Sequence, residues 1–434
     1  MLQLFALLTA ALVSRPASIP PVESPVAIVG GTLITGLDDT QIRESAVIFE
    51  NGRIIYAGKL AGAPIPQNAQ IVDAKNRWLI PGLIDMHVHL DEVITPEMFL
   101  KFGVTSVRDV GSRLVTIQRW RAKHSVPHIF WMGRNIDEGT PSWWGAVAVK
   151  GPAQVPGLLD DMVNQGVDGV KLYVNAGPDV ARSVIEQAHE RGMPVTAHPG
   201  KTSPKRLSED GIDNIEHVSQ LFLDLCDAST SVNPGYFAGY KRAAETDLYG
   251  PRTKALVATL NANHTAITPT LTVSIMPLDK NETRRYAGWT SVPPRWRNEW
   301  KRSYWDFIST KGWTTKQMLA ADSACSNYRK LVTLLYRAGV PLIAGTDTPA
   351  PNVLPGAGLL VELELMGECG IPPVELIRSA TSRAASILRR EDDVGAIAAG
   401  RCADILVLTA DPTKDIKNLH KIERTYHDGH RVKR

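Results

Sequence analysis

Cysteine is scarce in this 434-residue chain: Cys226, Cys325, Cys369 and Cys402 lie far apart, with no C-x-x-C pair. That spacing excludes a disulfide scaffold and a zinc knuckle, and leaves buried or free thiols. An excess of one charge is also missing. Lys and Arg number 48 against 45 Asp and Glu, and no dense basic run occurs outside the stretch from Arg284 to Arg302, which argues against nucleic acid as a partner. No repeat of solenoid length is present. Beyond the N-terminus no apolar run is long enough for a stable membrane span. The first run, MLQLFALLTAALV, is itself too short to cross a bilayer. With SRPASIPPVE behind it, residues 1–24 read as a signal peptide and leader, although no Lys or Arg precedes the run. Export is the expectation, and cytoplasmic residence the alternative.

What is there is an ordinary globular composition, 44% hydrophobic and 21% charged, with material for a substantial core. From Val26 the segments VAIVGGTLITG and AVIFENGRIIYAG set β-branched runs between turn residues, and AGRCADILVL and IERTYHDGHRV do the same near the C-terminus. Asp428-Gly429 is a hairpin turn signal. Residues 25–78 and 393–434 are expected to meet in one small β-sandwich-like domain. Between them, over 79–392, eight short β-type runs alternate with helical patterns: WLIPGLIDMHVH, GVTSVRDV, HIFWMG, GVKLYV, PVTAH, NIEHV, AITPTLTV and PLIAGTD. Such alternation fits an α/β fold of the (β/α)₈ TIM-barrel type better than an open sheet. From Val374, apolar positions Leu376, Ile377, Ala380, Ala384, Ile387 and Leu388 predict one helix with a single buried face. The segment of about 224–323, with Trp289, Trp296, Trp300, Trp305 and Trp313, is long for a connection. It reads as a helical insertion, either a pocket wall or surface packing.

The densest chemistry lies in PGLIDMHVHL. Side chains alternate along a strand, so His87 and His89 share a face and could share one metal, with Asp85 on that face as well. Lys171, His198, His217 and Asp347 each fall at or near the end of a later predicted strand, the end at which barrel enzymes place their catalytic groups. Each also has a plainer reading: a surface lysine, two satisfied core histidines, a helix-capping aspartate. With the His87/His89 pair these make five coincidences, which together are harder to sustain than any one.

With these residues in this order, the chain resembles the amidohydrolase superfamily from about Val26 to Val432. The run AGTDTPAPNVLPGAGLLVELELM, followed by SATSRAASIL and AGRCADILVL, is similar to the branch of imidazolonepropionase-like proteins and Xaa-Pro dipeptidases. The resemblance implies that His87, His89 and Asp347 hold one divalent ion and His198 and His217 a second, bridged by N-carboxylated Lys171. Zinc is the expected metal, although the mixed N/O set would also take manganese, cobalt or iron. Two such ions would supply an activated hydroxide near neutral pH, with Asp347 as both ligand and proton shuttle. Tyr173, two residues after Lys171, is a candidate substrate contact or a packed ring, and Thr270 a candidate pocket residue. Some relatives carry a tyrosine after the fifth-strand histidine; here it is Pro199, so that contact must be absent or supplied from elsewhere.

The expected activity is therefore metal-dependent hydrolysis of an amide C–N bond in a small molecule: a dipeptide, an N-acyl amino acid or a cyclic amide. A lactonase or phosphotriesterase on the same site is the alternative among enzymes, and a non-catalytic binding barrel the alternative outside them. Arg108, Arg113 and Arg134 are candidates to reach the substrate. A homo-oligomer is compatible with the sequence.

Overall fold

In the computed structural model the described residues are 24–91, 96–143, 145–226, 235–275, 294, 298, 314–350 and 353–433. The leader read over residues 1–24 lies almost wholly outside them, as do the five tryptophans of the long connection. Among the described residues no helix is long and apolar enough to cross a membrane.

Strands from both chain ends build two facing sheets. One is four-stranded, in the order Arg53–Lys59, Ser45–Glu50, Val26–Val29, Gln70–Asp73. The other runs His430–Arg431, Ile422–His427, Ile405–Leu408, Trp78–Pro81, Thr32–Ile34, Gln41–Ile42. Alternate residues of both pack into one cluster that includes Ile28, Leu33, Val47, Phe49, Leu79, Ile405, Val407 and Tyr426, which is how two half-wet sheets bury their apolar faces. The Asp428-Gly429 turn joins its strands with both residues at positive φ, 48° and 78°, as a two-residue hairpin requires.

The rest of the chain is α/β, with parallel strands. Leu83–Val88, Val104–Asp109 and His128–Trp131 form one sheet. Val147–Val149, Ile136–Glu138, Val170–Leu172, Val195–Ala197, Asn214–Glu216 and Ala266–Thr268 form another. The last three of these, like Val170–Leu172, are buried on both faces, as strands covered by crossover helices must be. Residues 342–348 run between the two sheets, bridging Ile267 through Leu342 and Val88 through Thr348. On the other side the Asp168 N–H donates to the Trp131 carbonyl at 2.7 Å.

Four local expectations are corrected. The run WLIPGLIDMHVH is two strands, because Gly82 lies so close to Thr105 that a Cβ there would sit 2.1 Å from its Oγ1. Pro81 pairs antiparallel with Ile405 in the sandwich, whereas Leu83 begins the parallel sheet. The run AITPTLTV is a strand only to Thr268; Leu271–Ile275 is helical, its Leu271 and Thr272 N–H groups donating to buried Glu362. The single helix expected from Val374 is two, Pro373–Ser379 and Ser382–Ile387, because the Ser379 and Ala380 carbonyls accept from Ala344 and Ile84 of the parallel layer. Finally, the region of about 224–323 is no single insertion: it contains helix Pro251–Ala262 and the core strand Ala266–Thr268.

Candidate metal centre

His87 ends the Leu83–Val88 strand with His89 just beyond it, and their rings lie 5.3 Å apart between centroids. Asp347 comes from the segment 342–348 beside them. Its Oδ1 is 3.2 Å from His87 Nε2 and 3.0 Å from His89 Nε2. One ligand atom from each of these three residues lies within 4.8 Å of the others. Gly345 permits this approach, since a Cβ there would come 2.9 Å from the His87 backbone nitrogen.

His217 and His198 complete a row of imidazoles. The His217 ring is 4.8 Å from His87 and 4.6 Å from His198. His217 follows strand Asn214–Glu216 with φ at 67°, a left-handed turn that swings its ring to the strand end instead of to the opposite sheet face. Asp347 at 64° and Thr270 at 46° share this uncommon conformation. Three such residues in one place store backbone strain, about 1–3 kcal/mol each, of the kind that functional sites retain. Part is offset by hydrogen bonds of 2.8 Å from the Asp347 N–H to the His87 carbonyl and from the His217 N–H to the Thr268 carbonyl.

Each inner histidine is oriented by its second nitrogen. His87 Nδ1 lies 2.8 Å from Glu216 Oε2, a contact that orients the ring and turns Nε2 towards Asp347. His217 Nδ1 lies 2.8 Å from Thr270 Oγ1. Thr270 is fully buried and touches the histidine, so the structure gives it this contact rather than a place on a pocket wall. Burial, reinforced by Lys171, pushes His198 down to about 3, and burial together with His198 holds His217 well below the usual histidine range. Both are therefore neutral bases with a lone pair to offer.

Lys171, in strand Val170–Leu172, is 1% exposed, and among the described residues its Nζ makes no hydrogen bond. Glu216 Oε1 is 3.9 Å away. Burial pushes the Lys171 ammonium down to about 8, with Glu216 opposing. Burial also opposes the charge on Asp347, but His87, His89 and His217 outweigh it and hold the carboxyl well below the ordinary aspartate range.

Glu216 was not singled out from the sequence. It accepts from Arg108 Nη2 at 2.5 Å and from Thr196 Oγ1 as well as from His87. Burial works against its charge, yet Arg108, Lys171 and His87 hold its carboxyl well below the usual range. The available signal was its place two residues after Asn214, on the inward face of the strand that delivers His217. Arg108 is spent on this network, with further bonds to the Met86 carbonyl at 2.6 Å and Asn214 Oδ1 at 2.7 Å. Asp85 accepts from Thr346 Oγ1 at 2.7 Å and ties the first strand to the 342–348 segment. Arg113 pairs with Asp91, and Arg134 donates to the Gly145 and Ala146 carbonyls, so both serve loop structure. Tyr173 stands beside His198 at 5.2 Å between ring centroids, in a small recess lined also by Leu172, Ala176 and Pro199. Burial, Asp347 and Asp137 push its phenol up to about 12, which keeps it a hydrogen-bond donor.

Residues 78–432 match the model of the amidohydrolase family. An uncharacterised protein of Mycobacterium tuberculosis is 29% identical over 193 residues, covering 38% of this chain and 51% of that protein. The imidazolonepropionase of Caulobacter vibrioides is 45% identical over 60 residues, covering 14% of this chain and 15% of its own. The chain thus spans about half the length of the first and less of the second. Among solved structures, a Xaa-Pro dipeptidase with bound methionine in its active site superposes with a TM-score of 0.67 at 21% identity, over 94% of this chain and 99% of that one. By the family model's match over most of its length, the chain belongs to the amidohydrolase family.

Proposed function

We propose that the protein is a metal-dependent hydrolase of an amide C–N bond in a dipeptide, N-acyl amino acid or cyclic amide, and that its parallel strands close as a (β/α)₈ barrel. One observation carries the reading. The Nε2 atoms of His87 and His89 converge on one carboxylate oxygen of Asp347 at 3.2 and 3.0 Å, with one ligand atom of each residue within 4.8 Å of the others, the grouping that a shared cation would occupy. The donor set suits zinc: imidazoles, a carboxylate, and a buried lysine whose Nζ makes no hydrogen bond among the described residues. In this reading His87, His89 and Asp347 would hold one ion, His198 and His217 the other, and Lys171, as its carbamate, would serve both. Carboxylation turns a buried cation into an anionic oxygen donor, which removes the conflict of an ammonium between metals.

When bound, the ions supply an activated water nucleophile and polarise the scissile carbonyl. The chain's own groups do the rest. Asp347, anionic across the working range, takes the proton through its second carboxylate oxygen and returns it to the leaving nitrogen. Glu216 and Thr270 fix which imidazole nitrogen is presented. Tyr173, protonated and beside His198, is placed to donate to the substrate where Pro199 offers no side-chain donor. The similarity to an imidazolonepropionase and a Xaa-Pro dipeptidase supports an amide substrate.

The test is a screen of purified, metal-replete protein against dipeptides, N-acyl amino acids and cyclic amides, repeated after chelation. Turnover of at least one amide class, lost with the metal and restored on its return, is expected. Turnover undiminished by complete metal removal, or confined to lactones or phosphotriesters, would overturn the assignment.

A further inference from the structure

We propose a second, separate metal site at the opposite end of the parallel strands, where the sandwich meets the rest of the chain, built for a zinc-type divalent cation from His128, Cys402, Asp404 and Asp428. His128 opens the strand His128–Trp131, so it lies at the N-terminal end of the parallel sheet, whereas the candidate catalytic residues gather at the C-terminal ends. The other three come from the C-terminal strands of the sandwich: Cys402 and Asp404 just before Ile405–Leu408, and Asp428 in the turn after Ile422–His427.

His128 is common to two triads of candidate ligands. His128 Nε2 lies 3.2 Å from Asp404 Oδ2 and 3.3 Å from Asp428 Oδ1. Ligand atoms of His128, Cys402 and Asp428 fall within 4.8 Å of one another, as do those of His128, Asp404 and His427. Bonds of about 2.0–2.3 Å to a tetrahedral ion separate the donor atoms by about 3.3–3.8 Å. Asp404 Oδ2 and His128 Nε2 face each other as an ion pair that a metal would replace. Asp404 is 4% exposed, yet among the described residues its Oδ2 makes no hydrogen bond, and His128 Nε2 makes none either, the two being close but out of alignment. The other side of the carboxylate is fully used. Asp404 Oδ1 accepts from His427 Nδ1 at 3.0 Å and from the Asp428 N–H at 2.9 Å, the support that orients a ligating carboxylate. One imidazole, one thiol and two carboxylates form a mixed N, S, O set that favours zinc over the hard cations. His128 and Asp428 are mostly buried, with side chains 24% and 19% exposed. The absence of a C-x-x-C pair excludes a zinc knuckle but not this site, because its ligands come together only through tertiary structure. An ion here would clamp the sandwich to the parallel layer.

The experiment is a Co²⁺ titration of the metal-stripped, full-length protein, followed by near-ultraviolet absorption and metal analysis. Sulfur-to-cobalt charge transfer reports this site alone, because His87, His89, Lys171, His198, His217 and Asp347 contain no sulfur. The expected result is a band that saturates at one ion per chain, persists in the His87→Ala/His89→Ala variant, and vanishes in Cys402→Ser with the loss of one ion. Should Cys402→Ser fail to fold, Asp428→Asn, in the hairpin turn, is expected to weaken the band-forming ion at least about tenfold. No band in the unmutated protein, a band surviving Cys402→Ser, or unchanged affinity in Asp428→Asn would overturn the site. Hydrolysis is not measured, so failure here leaves the catalytic reading untouched.

Discussion

Replacing Glu216 by glutamine keeps the side chain's volume but removes one charge and one acceptor oxygen. In the native protein one oxygen accepts from Arg108 and Thr196 and the other from His87. The amide has a single oxygen, so it satisfies either Arg108 or His87, never both. If the oxygen stays with Arg108, the NH₂ faces His87 Nδ1, which can then no longer donate there, and the tautomer that would offer Nε2 to a metal loses its support. Breaking a buried ion pair costs about 3–5 kcal/mol, and two retained neutral hydrogen bonds of about 1 kcal/mol each return part of it, leaving a net loss of about 1–3 kcal/mol. Removing the partner that orients a ligating histidine costs about 10–100-fold in metal affinity. The assay pairs urea unfolding of the metal-free protein with competitive chelator titration. The control is Arg108→Met/Glu216→Gln, in which neither charge remains. Replacing both members of a buried pair is often neutral, so the control should recover stability, while its metal affinity stays low. Glu216→Gln with native affinity, or affinity recovered along with stability in the control, would refute Glu216 as the residue that orients His87.

Lys171→Ala should lose most hydrolysis and part of its metal while remaining folded; a short carboxylic acid should restore some activity, and Lys171→Arg should not, because a guanidinium stays cationic. Full activity and full metal in Lys171→Ala would remove the bridge. Purified protein with the catalytic ligands intact and the clamp site removed by Cys402→Ser should carry close to two divalent ions per chain, and active protein with one or none would leave at most a mononuclear centre. Thr270→Val keeps the shape but not the hydroxyl 2.8 Å from His217 Nδ1, so the ion held by His217 should bind about tenfold more weakly, as read by metal titration; unchanged binding would sink that role. Burial pushes Glu362 up to about 7, its bonds from Thr272 and Leu271 opposing. The folded state then binds a proton more tightly than the unfolded one, so this contribution is complete below about pH 4.5 and is lost as the pH rises through 7. Relative to Glu362→Gln, the native protein should lose up to about 3 kcal/mol between pH 4.5 and 8 in urea unfolding, and parallel pH profiles would contradict it.

Part of this molecule is written in local pattern. The H-x-H spacing of His87 and His89 sets two rings on one side of a strand whatever surrounds it, and the alternation of short β-branched runs with helical stretches makes an α/β chain with parallel strands. Turn chemistry at Asp428-Gly429 acts over two residues, so it too is legible. What local pattern does not carry is which distant groups satisfy each polar atom. The carboxylate behind His87 is 129 residues away in sequence, and Thr270 is 53 residues from His217. The helix expected from Val374 was periodic in the right way, yet it breaks where its carbonyls are taken by Ile84 and Ala344. Pro81 and Leu83 go to different sheets because Thr105 leaves room between them only for glycine. His128 and Asp404 meet only after both chain ends have folded onto the parallel layer. Sequence determined the inventory of candidate ligands and the strands that carry them. Tertiary structure decided their partners, because hydrogen bonds and charges are settled by distance in space, which residue spacing within one strand or helix does not encode.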